Sequence, residues 1–317
     1  MISYLIRRLL YSVPIALGVS LMIFMLVHLA PGDPISAIAP ADAPPDVIER
    51  LKVDYGYDKP LPVQFALWLG RAVTGDLGRS VATGQSVSGE VMSAVGNTIM
   101  LSLCAALVGF TLGAGLGFVA GYNQGRVLDK AATAIAIAGI SVPHYWLGMV
   151  LVIVFSVQLN MLPAVGMGPG GSSDWAWDWA HMQHLILPAI TLAVIPIGIV
   201  MRTTRSAVAE ILNQEFVQAL RAKGLSERHV LGHVVRNVAP TVLAVMGLQL
   251  GYLLGGSILI ETVFSWPGTG FLLNTAIFRR DIPMLQGTIL VLALFFVFLN
   301  VVVDLIQTAV DPRIKRA

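Results

Sequence analysis

Apolar residues in this chain come in long unbroken blocks, not in the narrow stripes of a water-soluble domain. Six blocks, at about 9–30, 97–122, 131–158, 184–204, 238–260 and 283–306, are each long enough to cross a hydrocarbon layer of about 30 Å as a helix. Inside lipid only helices and closed barrels satisfy every backbone polar group. A barrel would show strands of about ten residues with alternating polarity, and the sequence has none. The pattern predicts an all-α polytopic membrane protein with six transmembrane helices. The apolar run of the fourth block, 185–201 and extendable back to His184, is short and carries Pro188 and Pro196. The first block follows Arg7 and Arg8 as a signal peptide would. Its length, and a following "PGDP" without a small-x-small cleavage site, read instead as a retained helix.

The intervals between blocks carry their own signals. The segment 31–96 contains "PADAPPDVIERLKVDYGYDKPLP", a turn, a short helix from about Pro45 and a proline-closed loop. "VQFALWLGRAV" follows, with helical spacing that suits the membrane surface. A later loop, "GMGPGGSSDWAWDWAH", joins glycines to three tryptophans, residues that anchor at a lipid–water boundary. Loops that merely rest on the headgroups fit both patterns equally well. Within the second block Ala105, Gly109, Gly113, Gly117 and Gly121 share one helix face. Small residues at every fourth position let helix backbones approach closely, which predicts a tight helix–helix contact there.

Composition agrees with the blocks: 56% of residues are hydrophobic and 12% charged, against about 25% charged in soluble domains. The net charge of +2 decides little, but its placement decides orientation. Thirteen of the twenty basic residues lie at the two ends, in the loop after the second block (Arg126, Lys130) and in the interval 205–237 with its approach. The positive-inside rule places both termini and 205–237 in the cytoplasm and makes 31–96 an outer segment. The single cysteine, Cys104, lies inside the second block, which excludes disulfides and cysteine metal sites.

The familiar transport and membrane chemistries leave no trace. A phosphate-cradling P-loop ends in Gly-Lys-Ser/Thr, and no lysine here follows a glycine, so ATP is not hydrolysed by this chain. Ion coupling calls for ionisable groups at mid-membrane. The apolar runs, which stop at 201 and 303 in the fourth and sixth blocks, hold no Asp, Glu, Lys or Arg. Glu261 and Asp304 sit at helix ends; His28 and His144 fit packing as well as proton transfer. There is no HExxH, no nucleophile elbow and no intramembrane aspartate pair, so no catalytic residue is assigned.

One charged stretch, "NQEFVQALRAKGLSERHV", stands apart. Asn213 is placed to cap a helix through "QEFVQALRAK", with Glu215 in its first turn. Gly224 supplies the left-handed residue that ends helices, Leu225 is positioned to pack on Leu220, and Ser226 can cap the next helix. The prediction is two cytoplasmic helices on a tight turn. Phe216, Val217, Leu220 and Leu225 give it an apolar side, and Ala219, Ala222 and Gly224 keep it narrow enough for a groove on another protein. An amphipathic loop lying on the membrane is the alternative.

"FVQALRAKGLSERHVLGHVVRNVAP" resembles the cytoplasmic EAA loop of permease subunits of ABC importers, with Gln218-Ala219-Leu220 where the general pattern has Glu-Ala-Ala, followed by Gly224. "RAKGLS" is closer to the branch that imports dipeptides, oligopeptides and nickel. "YLIRRLLYSVPIALGVSLMIFMLVHLAPGDP", "GDLGRSVATGQSV", "SVPHYWLGMVL", "ETVFSWPGTGFLLNTAIFRRDIPMLQG" and the terminal "DPRIK" resemble other parts of the same branch.

The resemblance implies a type I importer permease fold in a bacterial inner membrane. It implies a second homologous permease subunit, two cytoplasmic ATPase subunits that hold ATP and magnesium, an external substrate-binding protein, surrounding lipid, no cofactor in this chain and no nucleic acid. It assigns ATPase coupling to Glu215, Phe216, Gln218, Ala219, Leu220, Arg221, Ala222, Lys223, Gly224 and Leu225. Phe264, Trp266, Pro267, Gly268 and Gly270 fall in a loop that either faces the binding protein or plugs the space between helices. Arg279 and Arg280 can pair with Asp281 or with a docking partner. His144, Tyr145, Trp146, Gln249 and Asn300 are polar or aromatic candidates for the pathway lining, each of which could instead satisfy an internal hydrogen bond. Peptide is the expected cargo, with nickel, glutathione or an oligosaccharide as alternatives within the branch. An ion-coupled secondary transporter is the reading from another class; it would need a buried carboxylate or an inverted repeat with unwound helices.

Overall fold

The computed structural model describes residues 2–29, 44–171 and 175–310. The "PGDP" turn and the basic tail with Arg313, Lys315 and Arg316 lie outside the described residues. The elements are α1 (Ile2–Leu29), α2 (Pro45–Tyr55), α3 (Leu61–Val73), α4 (Val87–Tyr122), α5 (Val127–Ser141) and α6 (His144–Leu151), which continues as a π-helical segment (Val152–Gln158). They are followed by α7 (Trp179–Leu212), α8 (Glu215–Ala222), α9 (Glu227–Val263), α10 (Thr269–Arg279) and α11 (Ile282–Val310). Among the described residues four helices are long and apolar enough to cross a bilayer: α4, α7, α9 and the Ile282–Val303 part of α11. α1 contributes a shorter apolar stretch, Leu10–Met25.

Two features differ from the block pattern. The third block is not one rod: α5 and the helix from His144 to Gln158 meet at 99° across Val142 and Pro143. Proline disfavours helical backbone in the residue before it, and Val142 is extended at ψ 130°. The fourth block extends beyond its apolar run in both directions, as an unbroken helix of 34 residues despite its two prolines. Pro188 and Pro196 are both buried inside it, and a helix held by neighbours tolerates the lost hydrogen bonds. α4 and α9 also begin about ten residues before their apolar blocks, because hydropathy marks where lipid starts and not where the helix does.

The chain forms two compact units. The first comprises residues up to Thr98 and from Pro267 to Val301. Here α2 opens with Pro45 at its first position and closes on Gly56, whose φ is +75°. Phe24 of α1 packs on Phe65 and Trp68 of α3 at ring separations of 5.4 and 6.0 Å. His28 bonds Phe24 O at 2.9 Å and Gln64 Oε1 at 3.0 Å. The Gln64 amide in turn donates to the carbonyls of Tyr57 and Lys59. The Gln64 contact ties α1 to α3, while the Phe24 contact stays within α1. The segment before α4 is strapped down by Asp281, which is 3% exposed and accepts from the Ser80 hydroxyl, from Ala82 N at 3.2 Å and from Met284 N at 3.1 Å.

The second unit runs from Ile99 to Trp266 and resumes at Val302. α7 is its central helix, packed along α9 and α5. The glycine face of α4 meets α7 as the four-residue spacing predicts. A Cβ added at Gly113 would lie 3.0 Å from Ile197 O, at Gly117 2.5 Å from Met201 O, and at Gly121 2.7 Å from Arg205 O. Backbone is packed on backbone there, with no room for a side chain.

Candidate functional site

The charged stretch 213–230 is built from the end of α7, all of α8 and the start of α9. Asn213 is the C-cap of α7, and its amide donates to Ala209 O at 2.8 Å. The expectation that it caps α8 is therefore corrected: Gln214 holds that position without a side-chain bond. The free backbone groups at a helix C-terminus are acceptors, and an asparagine amide can donate to them.

The turn itself closes as its residues predict. Gly224 has φ +79°. Its N–H donates to Arg221 O at 2.9 Å and that of Leu225 to Leu220 O at 3.3 Å, the two bonds of a Schellman ending. Ser226 stands at the N-cap of α9, yet its hydroxyl meets His229 Nδ1 at 2.7 Å instead of a backbone N–H. Across the turn, Arg221 Nε and Nη2 donate to Glu227 Oε1 and Oε2 at 2.8 and 3.2 Å. That bonding raises the Arg221 pKa above its ordinary value.

The apolar side of α8 faces its own chain. Val217 is fully buried in one cluster with Val200, Val208, Val230 and Val234, and Phe216, Leu220 and Leu225 pack half-buried against it. Glu215, Gln218, Ala219, Arg221, Ala222, Lys223 and Gly224 are exposed. The expected roles of the two sides are thus exchanged: the apolar residues fasten α8, and the small and polar ones face outward. A helix of eight residues is not stable alone in water, so its apolar stripe is used for anchoring.

An ion pair that sequence reasoning passed over braces the same unit. Asp129 at the start of α5 accepts from Arg205 Nε and Nη2 at 2.6 and 2.8 Å and from Gly125 N at 2.8 Å. Asp129 is 3% exposed. Nothing in the linear pattern links two residues that far apart.

The loop after α9 is interior. Phe264 is 1% exposed, accepts from Gly166 N at 2.8 Å, and lies so near Gly148 that a Cβ there would sit 3.1 Å from its ring. Trp266 is fully buried and packs edge-on to Trp175 at 5.8 Å. Of the three loop tryptophans, Trp175 joins this interior cluster while Trp177 and Trp179 are exposed. In the first unit, Pro267 O accepts from Asn97 Nδ2 at 2.9 Å, and Gly268 and Gly270 are buried around the start of α10. Phe264, Trp266, Gly268 and Gly270 are thus buried, each within its own unit, and Pro267 is partly so. Arg279 and Arg280 are exposed and do not take Asp281, which Ser80 and two backbone N–H groups occupy.

The pathway candidates differ in their surroundings. Tyr145 and Trp146 are exposed on α6, whereas His144 Nε2 and Gln249 Oε1 are buried without a hydrogen bond to any described residue. Asn300 belongs to the other unit and returns its amide to Phe296 O at 2.9 Å, which satisfies it within its own helix.

Comparisons with known proteins bear on this arrangement. Residues 113–316 match the family described as binding-protein-dependent transport system inner membrane component, and residues 1–103 match its N-terminal region. A putative peptide transport system permease protein of Brucella abortus (strain 2308) is 39% identical over 316 residues, covering 99% of both chains. The glutathione transport system permease protein GsiC of Escherichia coli (strain K12) is likewise 39% identical over 316 residues and 99% of both chains. Among solved structures, the MetNI methionine ABC transporter in inward-facing conformations aligns with a TM-score of 0.56 at 18% identity, covering 70% of this chain and 96% of that one. That likeness speaks for the fold.

Proposed function

The chain belongs to the family of inner-membrane components of binding-protein-dependent transport systems, and from that premise we propose that it forms half of the pathway of an ATP-driven importer of short peptides. It is a multi-pass inner-membrane permease. In the proposal it has six spans with both ends in the cytoplasm, counting α1 and the bent α5–α6 pair as spans. A second permease completes the pathway, an external binding protein delivers cargo, and two ATPase subunits with ATP and magnesium supply the energy. Short peptides are favoured because the relatives' names specify peptide and glutathione transport, and glutathione is itself a tripeptide.

The observation that carries the coupling role is the construction of α8. It is a single short helix, fastened through Val217 and closed by the Gly224 turn, and it presents Glu215, Gln218, Ala219, Ala222 and Lys223 outward. A push on such a helix passes to α7 and α9 as rigid-body motion. The experiment is purification of the tagged chain from its host in mild detergent, with the co-purifying proteins identified. A second permease and two P-loop ATPases are expected. A Gly224→Val chain should still fold, because no atom stands within 4 Å of the added Cβ and the strain of a β-branched residue at positive φ is about 1–3 kcal/mol. It should nevertheless lose ATP-dependent peptide uptake. Normal uptake by that variant, or a chain that purifies alone and moves solute down an ion gradient, would refute the proposal.

A further inference from the structure

The polar end of α9 carries a basic groove for which the coupling role of α8 has no use. Arg228, His229, Gly232, His233 and Arg236 line it, around a volume of about 440 Å³, and all five are exposed. Residues 228, 232 and 236 recur at every fourth position, as do 229 and 233, so they form two adjoining columns on one helix face. Val230, Val234 and Val238 are buried against the rest of the unit. This part of α9 therefore has a fastened valine side and an unfastened basic side. Gly232 opens the middle of the basic side, since no atom stands within 4 Å of a Cβ added there. A long helical side chain covers the turn before its own position, and for Arg236 that turn begins at Gly232.

The lining selects for one sign of charge. No carboxylate lines the groove. Glu227, beside it in sequence, is held by both Nε and Nη2 of Arg221, and neither Arg228 nor Arg236 forms an ion pair among the described residues. Ser226 meets His229 at Nδ1, which leaves Nε2 for another partner. The groove between α7 and α9 is different: it joins Arg202 to Glu210 and so does not select an anion. Depth narrows the choice of anion. The apolar run of α9 begins at Val238. Arg236 lies about 3 Å before it along the helix axis and His233 about 7 Å, within the polar layer of roughly 5–8 Å on each face of a bilayer. Leu243, two turns beyond Arg236 on the same face, is exposed and offers an acyl chain a track. We propose that the groove binds the headgroup phosphate of an anionic phospholipid, with the two arginines and two imidazoles as donors around Gly232 and the acyl chains beside the apolar run.

This inference needs only that α9 enters a membrane, so it stands apart from cargo and coupling. The test is native mass spectrometry of the full chain in detergent micelles, titrated with phosphatidylglycerol and, separately, with zwitterionic phosphatidylcholine of the same acyl chains. An arginine near an anionic membrane surface is worth about a fivefold change in binding. Phosphatidylglycerol should therefore bind about tenfold or more tightly, and the double variant Arg228→Gln/Arg236→Gln should lose most of that preference. Lys130→Gln removes an equal charge from an exposed position beside another apolar run, outside the groove, and should keep it. Equal affinity for the two lipids overturns the proposal, as does an equal loss of preference in Lys130→Gln. Displacement of phosphatidylglycerol by about 10 mM inorganic phosphate, enough to fill a millimolar site, would mark a site for a free anion and overturn it too. So would loss of the bound lipid when co-purifying proteins are retained, which would mark a protein contact. If the double variant fails to fold, the two lipids on the unaltered chain still decide.

Discussion

Asp129 and Arg221 each take part in a two-pronged ion pair, but their surroundings make them unequal. Asp129 is almost wholly buried and satisfies Arg205 and Gly125 together. Asp129→Ala would leave the Arg205 guanidinium without its two acceptors and Gly125 N without its own, a larger loss than that of a fully solvated pair. The Arg221–Glu227 pair is open to solvent on both sides, with side chains 43% and 53% exposed, and exposed pairs are worth about 0–1 kcal/mol. Thermal melts in detergent should therefore show a large loss for Asp129→Ala and a small, salt-sensitive one for Arg221→Ala. Equal losses would mean that burial does not set the difference. Asn213 teaches a related lesson at the same scale: the residue type announces a cap, but only the fold decides which of two adjoining helices receives it.

Among the elements, α8 and α4 invite opposite manipulations. Val217→Ala removes two buried methyl groups, worth about 0.8 kcal/mol each before any cavity cost. The exposed side of α8 stays intact. Faster hydrogen exchange confined to the backbone of α8, with reduced coupling, is the expected outcome; unchanged exchange would mean that Val217 is not the anchor. On α4 the space is already full. Gly117→Ala drives a Cβ to within 2.5 Å of Met201 O, whereas Gly115, on the same helix, has nothing within 4 Å. Overpacking costs about 1–3 kcal/mol, while alanine for glycine in an open helix position gains about 1 kcal/mol. The two substitutions should shift the melting temperature in opposite directions. The α4 contact was legible in the sequence because a repeat of small residues has few other physical uses. The continuity of α7 was not, since proline's local preference is overridden by packing that only the folded chain supplies. The turn after α8 could be read from Leu220, Gly224 and Leu225, each acting on near neighbours. The side on which α8 is buried could not, because its partners, Val208, Val230 and Val234, belong to other helices.

At the scale of the molecule, the chain keeps one of its apolar blocks bent and others continuous. The bend of 99° before His144 interrupts the third block, while α9 runs without a break from Glu227 to Val263 despite Pro240. Its 37 residues make a rod of about 55 Å, with the Gly224 turn just before one end and the buried Phe264 just beyond the other. A rod transmits rotation as well as displacement, so the two ends of α9 share a phase. One residue inserted after Asn237 would turn everything beyond it by about 100°, whereas seven would return it to within about 20° and lengthen the rod by about 10 Å. Uptake that survives seven inserted residues better than one would show that the two ends communicate by angular register; the reverse order would show that they communicate by reach.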